Sequence, residues 1–125
     1  MNNTIAAKVL EVDPEREDEV VLLLGDQPVR CMISNCPNPI YENNTYFVSL
    51  TIQLNSDYAI TETDSSTPFI ENFGSGFNVI IQGKLSNSTI NSVVDFDDVD
   101  IHYDHPELDG KMVKIYAERI DASFD

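Results

Sequence analysis

Tyr46, Val48, Leu50, Ile52 and Leu54 fall on one parity, and Ser49, Thr51 and Gln53 on the other, with Phe47 the exception. Side chains of a strand alternate between its two faces, so this spacing predicts a strand with one face on a core. Nowhere does the chain set apolar residues at i, i+3, i+4 and i+7 over the length of a helix. A sequence patterned this way folds by pairing strands.

The neighbouring segments follow the same rule. Thr4–Val12 alternates Ile5, Ala7 and Val9 with Ala6, Lys8 and Leu10. Asp13-Pro14 opens a turn, because Pro fixes φ and Asp bonds its own backbone. The charged loop EREDE (15–19) leads into EVVLLL (19–24), a continuous apolar run that predicts a strand covered on both faces. Gly25–Pro28 is the next turn, and Val29, Cys31 and Ile33 mark a third strand. A three-stranded meander is expected over the first 34 residues.

Residues 35–44, NCPNPIYENN, hold two prolines and four asparagines and read as an irregular loop with Ile40 and Tyr41 tucked in. Residues 57–63 are expected to continue the Tyr46–Leu54 strand or pair back onto it. The polar stretch 61–76 reads as a long connection, functional or mobile, anchored by Phe69, Ile70 and Phe73. Phe77–Leu85 is a strand whose Gly83 marks a bulge or a close neighbour. Lys111–Ile120 is expected as the strand that closes the sheet, and 121–125 as a short acidic end.

The stretch 93–109, VVDFDDVDIHYDHPELD, contains no Lys or Arg. Its apolar residues change parity, from Val94 and Phe96 to Val99, Ile101 and Tyr103. Such a switch requires one extra residue, so a bulge or a break between strands is expected at Asp97-Asp98. Either way Asp95, Asp97, Asp98, Asp100, His102 and Asp104 are expected on the side away from the core.

Seven to nine short strands joined by Gly, Pro and Asn turns imply an all-β domain spanning 1–125. The expected architecture is a small closed or partly open barrel of the oligonucleotide/oligosaccharide-binding type; the alternative is a β-sandwich.

Charge bounds the function. Twenty-two Asp and Glu face seven Lys and Arg, a net charge of −15 at pH 7. Binding to nucleic acid or to an anionic membrane calls for basic patches, and none lies between Arg30 and Lys84 or between Lys84 and Lys111. Neither is expected. No apolar run reaches the roughly 20 residues of a membrane span, no signal peptide is visible, and a cytoplasmic protein is expected. In that compartment Cys31 and Cys36 are expected as free thiols.

No nucleophile elbow, phosphate loop or Cys–His pair appears, and a glycosidase groove would want tryptophan, of which there is none. The chain is expected to be non-enzymatic and without a cofactor. A metal or small-ligand site is the alternative, built from Asp100, His102, Asp104 and His105 on one strand face. The acids could also be a high-salt adaptation without a partner. The leading expectation is an interaction surface for a basic protein. Its members are Glu15, Glu17 and Asp18 with Asp95, Asp97, Asp98, Asp100, His102, Tyr103, Asp104, Glu107 and Asp109, and Tyr41, Tyr58 and Tyr103 supply aromatic anchors. If the two acidic segments adjoin, they form one patch of a single sign. In character such a protein resembles the immunity proteins and nucleic-acid mimics that block basic nucleases, so the expected partner is a nuclease or toxin whose action it inhibits.

Overall fold

A computed structural model describes residues 4–97 and 100–124. Five strands close into a barrel in the order β1-β2-β3-β11-β4: β1 (Thr4–Val12), β2 (Glu19–Leu24), β3 (Gln27–Asn35), β4 (Thr45–Gln53) and β11 (Arg119–Phe124). β11 runs parallel to β3 and antiparallel to β4, and β4 pairs back onto β1. This is a small closed barrel, as expected from the sequence, with its opening meander intact.

Between β4 and β11 the chain builds a second sheet. It comprises β5 (Ala59–Glu62), β6 (Phe69–Asn72), β7 (Val79–Ser86), β8 (Thr89–Asn91), β9 (Asp95–Asp97) and β10 (Met112–Ala117). The order is β5-β10-β7-β8-β9, and β6 pairs with β7 beside β8. A single helical turn, α1 (Ile101–Asp104), and a 3-10 turn at Pro106–Leu108 link β9 to β10.

Alternation fixes what each strand buries. Ala7, Val9, Val20, Leu22, Leu24, Val29, Cys31, Val48, Leu50, Ile120, Ala122 and Phe124 fill the barrel. Ile70, Val79, Ile81, Leu85, Ile90, Phe96, Val113 and Ile115 form the inner face of the second sheet, and one continuous hydrophobic cluster joins the two. The second sheet lies across the barrel end formed by the β2–β3 turn and the end of β4. There Gly25, at φ +64°, meets Val93, and Ile70 and Asn72 of β6 bond Gln27 and Arg30 of β3.

Several expectations change. β2 is covered on one face only: Val20, Leu22 and Leu24 are fully buried, while Val21 and Leu23 stay half-exposed on the barrel exterior. β5 neither continues β4 nor pairs with it; it pairs with β10. The stretch 61–76 is no simple loop, because β6 lies within it and buries Ile70 against β7. Phe73 of the same stretch remains 40% exposed, stacked edge-on against Tyr116. Lys111–Ile120 is two strands, since burial changes parity at Glu118, from Ala117 to Ile120. The acidic end read at 121–125 is instead β11, with Ala122 and Phe124 in the core. In place of the strand expected after Asp97-Asp98, Ile101 and Tyr103 lie in α1; Asp98 and Val99 lie outside the described residues.

Gly83 is a point of close approach, as its position in an alternating strand suggests. A Cβ there would sit 2.5 Å from the Asn91 carbonyl oxygen of β8. Gly83→Ala is expected to cost about 1–3 kcal/mol in urea unfolding, because backbone rather than a flexible side chain must yield. Phe124→Ala is expected to cost about 3–5 kcal/mol by the same measurement. Cys31 is buried, and burial, reinforced by the Asp121 carboxylate, pushes its thiol from 9.0 up to about 12. In the unfolded chain the thiol ionises near 9 while the folded chain keeps its proton. Stability from this group is therefore complete below pH 9 and declines as pH rises toward 12. Urea titrations at pH 8 and pH 10.5 are expected to show a steeper loss for the native sequence than for Cys31→Ala.

Candidate functional site

The acidic residues sit at two opposite ends of the barrel. Residues 13–18 form the β1–β2 turn: the Asp13 carboxylate accepts the Glu15 N–H at 2.9 Å, and the Asp18 carbonyl accepts the Ile33 N–H at 2.7 Å. These bonds hold Glu15, Glu17 and Asp18, all exposed, on a fixed turn beside the 35–44 loop. Asp97 and Asp100 instead adjoin Thr51–Leu54 at the far end of β4. About 26 Å of strand separates Thr45, next to the first group, from Gln53, next to the second, at about 3.3 Å per residue. The two acidic segments do not merge into one patch.

At the far end, β9 buries Phe96 and projects Asp95 and Asp97 outward, as expected. Asp95 accepts an amide hydrogen from Asn91 at 3.1 Å. From Asp100 the backbone turns helical: the Asp104 and His105 N–H groups bond the Asp100 and Ile101 carbonyls. Successive side chains then rotate by about 100° rather than 180°. Asp100 and Asp104 consequently share a side, and His102 points the opposite way. This overturns the shared strand face expected for Asp100, His102 and Asp104.

The individual contacts confirm the dispersal. Asp104 accepts the Tyr58 hydroxyl at 3.0 Å, and the Tyr58 ring meets His105 edge-on at 5.8 Å. His105 Nδ1 lies 3.6 Å from Glu107, while His102 Nδ1 is buried without a partner. Among the described residues no three His, Cys, Asp or Glu side chains gather as a metal site. Asp109 has a structural task, accepting the Asn87 N–H at 2.9 Å where Asn87 holds φ +55°. Tyr103 is 83% exposed on α1, and Tyr41 is 63% exposed rather than tucked into its loop.

The near end carries a feature the sequence did not disclose. Glu42, from the 35–44 loop, reaches across to accept the Val12 N–H at 3.0 Å. It thereby completes a groove of about 260 Å³ lined by Glu11, Asp13, Glu19, Glu42, Val12, Pro14 and Val21. A second groove of about 430 Å³ continues from it through Val12, Asp13 and Pro14, with a floor of Ile33, Cys36 and Ile40 and a rim of Pro37 and Pro39. Glu42 lies 30 residues from Val12, so only the folded β1–β4 pairing brings it to this turn.

Most basic side chains are engaged within the protein. Arg16 pairs with Glu19, Lys111 with Glu62, and Arg119 with Glu118 and Asp121. Arg30 donates to the Gly76 carbonyl at 2.7 Å, and Lys114 lies over the Phe69 ring. No helix among the described residues is long and apolar enough to cross a membrane.

Comparison with curated proteins and with solved structures gave no match. One family matches over residues 1–125, and the chain belongs to it: the family described as uncharacterised conserved protein UCP019853.

Proposed function

We propose that this protein is a non-enzymatic acidic interaction module that binds a basic protein, of the nuclease or toxin kind, and inhibits it. The observation that carries the reading is a −15 charge of which two described groups, Glu15, Glu17 and Asp18 on the β1–β2 turn and Asp95 and Asp97 on β9, stand at opposite barrel ends, while most of the seven bases are occupied internally. Fixed carboxylates keep their geometry during an encounter, so they steer a cationic partner and set its register as well as attracting it. A rigid domain seated on a basic active-site cleft would exclude the substrate sterically and by charge. Immobilised protein is expected to retain from source lysate a basic partner that leaves in a narrow salt step. Association of the purified pair should slow by about tenfold or more between low and high salt, as steered encounters do. The purified partner's activity should fall in stoichiometric proportion to added protein. A retained partner that is acidic, or that leaves only on denaturation, would sink the proposal.

A further inference from the structure

We infer that the groove at the near end of the barrel is the seat of this recognition, and that its occupant is an extended segment of the partner carrying an apolar side chain close in sequence to Lys or Arg. The inference rests on the acidic-interaction reading above and goes further by fixing the place and the chemistry. The two lobes differ in kind. One is walled by four carboxylates, Glu11, Asp13, Glu19 and Glu42; the other has an apolar floor of Ile33, Cys36 and Ile40, which pack onto the barrel core. An apolar floor alone would accept any hydrophobe. The carboxylates beside it select an occupant that is cationic within a residue or two of its apolar anchor. The acidic lobe, about 260 Å³, is smaller than the roughly 300–1,000 Å³ of ordinary ligand pockets and suits a single long side chain.

The lobes meet at Val12–Pro14, which ties the two specificities to neighbouring positions of one bound strand. Side chains one and two residues apart on an extended chain lie about 3.3 and 6.6 Å apart along it. The groove is already formed. Prolines 14, 37 and 39 restrict its walls, Glu42 clamps β1, and the Asn43 N–H bonds the Val9 carbonyl at 2.7 Å. A site that need not reorder on binding keeps more of its contact energy as affinity. Asp97 and Asp100 at the far end adjoin a separate hollow whose wall is β4, and lie outside this groove.

The test uses three fluorescein-labelled octapeptides and anisotropy in low-salt buffer. The mixed peptide holds two Leu each followed by Arg, the basic peptide has Ser for each Leu, and the apolar peptide has Ser for each Arg. The mixed peptide is expected to bind at least about tenfold more tightly than either control, a difference of about 1.4 kcal/mol. The double variant Glu11→Gln/Glu19→Gln and the single variant Ile40→Ser should each weaken it several-fold, with melting temperatures confirming the fold. Asp95→Asn/Asp97→Asn, which removes two charges at the far end, should weaken it less than Glu11→Gln/Glu19→Gln does. Equal binding of mixed and basic peptides, or losses confined to Asp95→Asn/Asp97→Asn, would overturn the groove while leaving an acidic interaction module standing. If no cationic peptide binds at low salt, both fall together.

Discussion

Closure of the barrel depends on β11. Its six residues fill the gap between β3 and β4, parallel to one and antiparallel to the other, and send Ile120, Ala122 and Phe124 into the core. Without them β4 and the second half of β3 would each present an unpaired edge, and Tyr46 would lose the Phe124 ring that it meets edge-on at 6.0 Å. The side-chain bonds at this seam span the chain: Ser34 and Asn35 donate to the Ala122 and Phe124 carbonyls, 88 and 89 residues away.

The second sheet is held to the barrel by a different device. β6 approaches the first half of β3, where β11 does not reach, yet no ladder forms. Side-chain amides substitute for it. Asn72 exchanges two hydrogen bonds with the Arg30 backbone, and Gln27 accepts the Ile70 N–H at 2.7 Å. This lets two sheets of different curvature share one core while each keeps its own twist. It also leaves the near end of the barrel uncovered, so the groove there is shaped by the barrel's own turn and loop.

Alternation made the barrel legible, because Ala7 to Val9, Val20 to Leu24 and Val48 to Leu50 each declare one buried face. The same parity argument applied at Glu118 would have separated β10 from β11; Ala117 and Ile120 differ in parity just as Phe96 and Ile101 do. The change at 97–101 was visible, but its nature was not. A helical turn and a strand of four residues bury the same number of apolar side chains, so Ile101 alone cannot distinguish them. The acidic turn at 13–18 could be read as a charged surface. Its union with Glu42 and Ile40 could not, because that contact follows from strand pairing, which short-range pattern does not encode.

The parallel pairing of β3 with β11 carries a temporal consequence. A chain emerging from the ribosome can zip β1, β2 and β3 by local hairpins as soon as residue 35 clears the exit. The open flank of β3 must then wait through β4 and the whole second sheet, until Phe124 has been made. During that interval a nascent chain offers a long, bare strand flank to its neighbours on the same message. The dense like charge of the chain opposes their approach throughout. The acids of the folded surface would then also act earlier, keeping unfinished copies of the protein apart.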